Sequence, residues 1–308
     1  MPKAPVILFV YNRPDHTFRT LTALNTCEGS AESELHVFCD GPKNADDAVQ
    51  VMRVRELVRS REWCGKVVLH EEAENQGLQK AIIQGVTRIV NEYGRAIILE
   101  DDIVCGKHFL NYCNAALDRY EKDEQVMHIN GYMFPHKAEF PFAFFSRYAF
   151  VWGWATWKRA WDRFSEDAES HLRKINNDGT ADDFDRHGAA GTLGMLQRQA
   201  AGTLRTWDVL WYASVFNEGG LCLTPGRSFT RNIGMDGTGA NYSHVVKRSQ
   251  ERKIDRLPDQ VPFPDPAAYS AANESWIEQV LRDWNSPRFS ERLSGKLRKW
   301  WNSLNSFR

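Results

Sequence analysis

The sequence predicts an α/β fold: a mostly parallel, doubly wound sheet flanked by helices, followed by an aromatic-rich half and a C-terminal helical tail. Three observations predict it. Short continuous apolar runs alternate with stretches of helical spacing through the first 130 residues. Each run ends in polar or turn-forming residues, the place where ligands bind in such sheets. The texture then changes, because phenylalanine and tryptophan crowd residues 140–161.

Residues 6–11 form an unbroken apolar run, as expected of a strand buried on both faces. Pro14 opens a helix carrying Phe18, Leu21 and Leu24. Residues 35–39 predict a second strand, closed by Asp40-Gly41-Pro42. A helix over Val49, Met52, Leu57 and Val58 leads to a third strand at 67–70. Asn75-Gln76-Gly77 then turns the chain into a helix with Leu78, Ile82, Val86, Ile89 and Val90 on one stripe. The fourth strand, 96–99, runs directly into Glu100-Asp101-Asp102. Phe109, Leu110, Cys113 and Leu117 mark another helix, and 126–129 a fifth strand. Beyond these, helical pieces are expected at 157–164, 182–201 and 207–216, and a strand at 221–224. Residues 227–244 carry glycine and lack periodicity, so they predict a loop, and the prolines of 258–266 predict a linker. The expected division is 1–130 as an α/β half, 131–257 as an aromatic-rich half, and 258–308 as linker and amphipathic helix.

Bulk properties narrow the function. A formal net charge of −1 over 308 residues gives no bulk attraction to nucleic acid. Six cysteines with no CxxC pair argue against a zinc site, and as scattered thiols they fit a reducing compartment. The N-terminus shows no signal-peptide pattern, and no apolar run approaches the roughly 20 residues that span a bilayer. A cytoplasmic protein is expected.

The chemistry-bearing residues sit at the predicted strand ends. Three adjacent carboxylates repel one another unless a cation offsets them, so Glu100, Asp101 and Asp102 suggest a hard-cation site for Mn²⁺ or Mg²⁺. A solvated acidic turn is the plainer alternative. Asp40 is either an ordinary Asp-Gly turn residue or an acceptor for a nucleobase or ribose. Asn75 is expected to cap the helix that begins near Gly77, an N-terminus suited to phosphate. Asn12 and Arg13 follow the first strand, and Arg13 is placed to contact a base or phosphate. Asp208, after Trp207, is either a helix-start acid or a general base among aromatics. Gly153 between Trp152 and Trp154 permits close backbone approach, and tryptophan faces suit the apolar faces of sugars.

In this order the motifs resemble the GT-A glycosyltransferases, a Rossmann-like class, most closely the N-acetylglucosaminyltransferase I type and bacterial family-2-like sugar transferases. The resemblance spans about residues 5–244, and it implies that 1–130 is a nucleotide-sugar-binding half and 131–257 an acceptor-binding and catalytic half. It implies an inverting transfer from a nucleotide-sugar, UDP-linked by expectation, to a hydroxyl of a glycan or lipid-linked acceptor. It implies Asp102 as metal ligand, Glu100 and Asp101 facing donor sugar and ribose, Asp40 at the uracil, Arg13 at the nucleotide, Asp208 as base and residues 231–244 as a closing loop. Two positions depart from the family pattern. Asn12 replaces an aspartate, and Asp208-Val209 replaces two consecutive aspartates. The rivals are a sugar-phosphate nucleotidyltransferase, which needs a glycine- and basic-rich loop that Tyr11-Asn12-Arg13-Pro14 does not provide, and a non-catalytic sugar-binding protein.

Finally, residues 288–308 place Phe289, Leu293, Leu297, Trp301 and Leu304 at near-helical spacing. Six basic residues there face only Glu291. This predicts a basic amphipathic helix, either docked on the protein or lying on an anionic membrane surface at the inner face.

Overall fold

The computed structural model describes residues 2–237 and 261–285. One eight-stranded sheet organises them, in the order β3-β2-β1-β4-β8-β6-β9-β7. Its first half is parallel. It comprises β1 (Val6–Val10), β2 (Glu34–Cys39), β3 (Lys66–Glu71) and β4 (Arg95–Glu100). The second half is mixed. There β8 (Trp154–Trp157) runs antiparallel to both β4 and β6 (Val126–Asn130). β9 (Leu221–Pro225) is parallel to β6, and β7 (Ala143–Ser146) closes the edge antiparallel to β9. The α/β class expected from the sequence is therefore the class observed.

Helices cover both faces, which is why β1 carries no polar residue. Val6, Leu8 and Val10 face one core with Leu21 and Leu24 of α1 (Pro14–Asn25) and Val54 and Val58 of α2 (Ala45–Arg59). Ile7 and Phe9 face the other, with Ile82, Val86, Ile89 and Val90 of α3 (Leu78–Tyr93). Alternation by two along a strand thus sends successive side chains into two different apolar layers. α3 lies so close to β1 that a Cβ on Gly85 would meet the Phe9 ring at 2.7 Å. α4 (Phe109–Arg119) packs in the first core.

The strand order creates a switch point. From β1 the chain moves outward to β2 and β3, then returns to pair β4 on the other side of β1. The crevice between diverging connections lies beyond the carboxyl ends of β1 and β4.

Several elements differ from expectation. β7 and β8 arise inside the aromatic stretch, where ring density hides the alternation of two. Short strands β5 (Ile103–Cys105) and β10 (Thr230–Asn232) pair antiparallel outside the main sheet, so part of the predicted 227–244 loop is extended and hydrogen-bonded. The helix expected at 157–164 is a single turn, α5 (Lys158–Trp161), and α6 (Ala168–Asn177) follows it. The helix expected at 182–201 is broken into α7 (Ala181–Phe184) and α8 (Thr192–Ala200). Gly188 and Gly191 adopt φ of 78° and 74° between them, and Asp185 Oδ1 accepts the Leu193 N–H at 3.0 Å to start α8 afresh. α9 (Asp208–Asn217) matches its predicted span, and α10 (Ala271–Asn285) packs on the β7 side of the molecule. Residues 238–244 of the predicted closing loop, 258–260 of the linker and the 288–308 tail lie outside the described residues.

Candidate active site

Pairing of β1 with its neighbours sets Phe9 opposite Glu100 and Val10 opposite Cys39. The segments Tyr11–Arg13, Asp40 and Glu100–Asp102 therefore leave the sheet at the same edge. Arg13 precedes Pro14, the first residue of α1, and its side chain makes no capping bond. It crosses the switch point instead. Its Nε donates to Asp101 Oδ2 at 3.1 Å, and Nη2 reaches both Asp101 Oδ1 and Asp102 Oδ2, the latter at 2.9 Å. A planar guanidinium suits this forked recognition. Nη1 of Arg13 is buried and finds no hydrogen-bond partner among the described residues.

The acidic turn is fixed from two more sides. Thr20 of α1 donates its hydroxyl to the Asp101 carbonyl at 2.7 Å, and Ile233 N–H donates to the Asp102 carbonyl at 2.8 Å. The loop after β10 then passes directly over Asp102. A Cβ on Gly234 would stand 2.1 Å from Asp102 Oδ2, so only glycine fits. His16 of α1 meets Asp236 at 3.1 Å and ties the same loop down.

The electrostatics are strongly acidic. Burial, then Asp102, Asp101 and Asp208, raise the Glu100 carboxyl well above the usual range, against the pull of Arg13. Asp101 is pushed up to about 6 by burial, although Arg13 draws it down. That Asp208 acts on Glu100 brings together two residues 108 apart in sequence. Asp208 is the first residue of α9. Its Oδ1 accepts the Thr206 hydroxyl at 2.5 Å and the Val209 N–H at 2.7 Å, and its own backbone N–H also bonds the carboxylate. Burial raises its pKa, and the bonds from Thr206 and Val209 oppose the rise.

Asp208 also walls a cavity of about 140 Å³ with Phe134, Tyr148, Trp152, Met195 and Tyr212. Trp152 is half-buried and lines this cavity. Trp154 does not. It is fully buried, stacked on Trp207 at 5.4 Å and packed near Trp161 and Trp211, so it belongs to the core rather than to a sugar platform. Gly153 is nonetheless required between them. Its φ is 82°, and a Cβ would meet Thr230 Cγ2 at 2.6 Å.

Other sequence-selected residues serve the frame. Asp40 is buried, and its two oxygens take four donors: Gly41 N–H at 2.8 Å, Gln76 N–H at 2.7 Å, Asn75 Nδ2 at 2.9 Å and Gly77 N–H at 3.0 Å. A carboxylate offers about four lone-pair sites, so Asp40 is saturated by the loop that launches α3. Asn75 does not cap α3. The cap position is Gly77 at φ 80°, and Asn75 spends its amide on Asp40 and Gly41. Asn12 donates to Asp47 Oδ1 at 2.8 Å, and Tyr11 donates to Oδ2 at 2.5 Å, bracing the first turn of α2. Asp47, Thr20, Gly234 and Thr206 escaped the sequence reading. Of these only Gly234, in a glycine-bearing aperiodic stretch, carried a local signal.

No protein-family model matches the chain, and no curated protein matches it. Solved structures similar to parts of it include S. aureus TarS, at TM-score 0.32 and 16% identity over 45% of this chain and 23% of that one. TarS 1–349 gives 0.32 and 17% over 44% and 38%, and apo mouse xyloside xylosyltransferase 1 gives 0.28 and 13% over 41% and 51%. The chain thus spans between 23% and 51% of those chains.

Proposed function

We propose that the chain is a metal-dependent, inverting glycosyltransferase that moves a sugar from a nucleotide-sugar, UDP-linked in this reading, to a hydroxyl of a glycan or lipid-linked acceptor. The observation that carries it is the Arg13-clamped acidic turn at the sheet's switch point; a second carboxylate, Asp208, lines an aromatic cavity and lies within electrostatic reach of Glu100. Among the described residues no three His, Cys, Asp or Glu gather as a complete ligand set. Mn²⁺ or Mg²⁺ needs none, because such ions commonly take one or two carboxylates and complete their shell with water and substrate phosphates. Asp102 fits that role: Arg13 takes only its Oδ2, and Oδ1 accepts no bond from the described residues. The excess of acid over Arg13 also leaves an anionic diphosphate in need of a cation. When bound, the ion would neutralise the charge that builds on the leaving phosphate.

The chain's own residues do the rest. Arg13 holds the acidic turn and offers Nη1, which has no partner among the described residues, to a ligand oxygen. Asp208 is held through Oδ1 and takes the acceptor proton on its carboxylate. Inversion requires one base and no protein nucleophile, so a single aspartate suffices.

The test is UDP release from UDP-sugars, with and without Mn²⁺, and mass detection of transfer to glycan acceptors. Release that needs Mn²⁺ and vanishes in Asp102→Ala is expected. Asp208→Asn should lower the transfer rate by about 10²–10⁴ with donor affinity kept. Because burial raises the Asp208 pKa, the parent rate should fall as pH drops through a value above the ordinary aspartate figure of about 3.9. Metal-independent release, or a fully active Asp208→Asn, would overturn these assignments.

A further inference from the structure

Behind the acidic turn lies a thiol pair that the proposed reaction does not use. Cys27 Sγ stands 3.3 Å from Cys105 Sγ, and both residues are buried. A disulfide bond is about 2.05 Å long, so closing the pair needs a movement of only about 1.2 Å. The two backbones are already joined around it. Glu28 N–H donates to the Lys107 carbonyl at 2.9 Å, and the Cys27 thiol donates to the Gly106 carbonyl at 3.1 Å. None of the other four cysteines makes a thiol–thiol contact among the described residues, and Cys64 instead accepts the Ser30 hydroxyl at 3.4 Å.

Position gives the pair its consequence. Cys27 lies just past Thr26, the C-cap of α1, the helix that carries Thr20 and begins beside Arg13. Cys105 ends β5, whose first residue follows Asp102 and which pairs with β10, the strand leading to Gly234. The sulfurs thus stand where the C-terminal end of α1, with Thr20 in its last two turns, meets β5 and its partner strand β10.

We propose that Cys27 and Cys105 form a redox modification site, oxidised by a peroxide, whose disulfide staples α1 to β5 and rigidifies the Arg13–Asp101–Asp102 turn. Burial of both thiols favours so small an oxidant over a bulky disulfide. The Cys27 thiolate attacks one peroxide oxygen, giving a sulfenic acid and releasing hydroxide. The Cys105 sulfur then attacks the Cys27 sulfur, the S–S bond forms, and the sulfenic oxygen leaves as water. Two thiols and one hydrogen peroxide become one disulfide and two waters, the sulfurs losing the two electrons that the peroxide gains. The order follows from the pair itself, because the hydrogen bond with Cys27 and burial hold Cys105 as the thiol.

The full chain would be treated with hydrogen peroxide, its remaining thiols alkylated, and its peptides mapped without reduction. The expected product is a Cys27–Cys105 cross-link as the main disulfide, reversed by dithiothreitol. With it, amide exchange over residues 100–106 slows and the melting temperature rises by roughly 5–10 °C, as for a bridge between residues 78 apart. In Cys105→Ser, Cys27 should stop at the sulfenic acid, trapped by dimedone, with no cross-link. A cross-link from Cys27 to Cys64, no cross-link at all, or a cross-link that leaves exchange over 100–106 unchanged would each overturn the proposal. The parent map decides even where the variant fails to fold.

Discussion

Gly234 shows how much one missing side chain does in this site. The loop carbon lies against Asp102 so closely that a methyl group would fall 2.1 Å from Oδ2, the oxygen that Arg13 also holds. Neither partner can yield freely. Asp102 is anchored through its carbonyl to Ile233, and Arg13 is fixed by its fork on Asp101. Gly234→Ala should therefore displace the Asp102 carboxylate while leaving the two-layer core untouched. The expected result is a loss of transfer on the order of 10²-fold, since displacements near 1 Å at a reacting centre carry that magnitude. Circular dichroism and melting temperature should stay near the parent's. Parent-level UDP binding and turnover in this variant would show that the loop's closeness to Asp102 has no functional weight.

At the level of elements, Asp40 acts as the clasp between β2 and α3. Removing its carboxylate strands four donors, two of them the N–H groups of Gln76 and Gly77 where α3 begins. Asp40→Ala should cost about 2–4 kcal/mol and lower the melting temperature by roughly 5–10 °C, with amide exchange accelerating first over residues 74–80. A variant as stable as the parent would mean that solvent replaces the clasp without penalty. The same comparison explains what could be read in advance. β1 and β4 announce themselves because layers on both faces demand unbroken apolar runs, and the acidic triplet gains meaning from following β4 without a spacer. Strand order is not local information, so nothing in residues 10–15 says that β1 neighbours β4 and that Arg13 will reach Asp101. Three-residue strands such as β5 and β10 are too short to show a period. In the aromatic stretch large rings crowd both faces of the chain, and burial alone separates Trp154 in the core from Trp152 on the cavity.

Charge is distributed unevenly over the whole molecule. Residues 288–308 hold six basic residues and one acid, a net +5, whereas the chain as a whole is −1, so residues 1–287 carry −6. An acidic body is repelled by an anionic bilayer, and a basic, tryptophan-bearing segment is drawn to it. Each basic side chain near such a surface contributes on the order of 1 kcal/mol, so five in excess suffice for reversible attachment that salt weakens as the Debye length shortens. We propose that this segment, read from sequence alone, holds the protein at the inner membrane face, where a lipid-linked acceptor would be presented. The intact chain should sediment with phosphatidylserine-containing vesicles at low salt and be released at about 0.5 M salt. A chain ending at residue 287 should stay in the supernatant while keeping its melting temperature and its UDP binding. Two outcomes would defeat the proposal. If the intact chain ignores anionic vesicles at low salt, the charge asymmetry has no membrane role. If truncation lowers the melting temperature sharply, the apolar stripe of Phe289, Leu293, Leu297, Trp301 and Leu304 belongs to the protein's own packing.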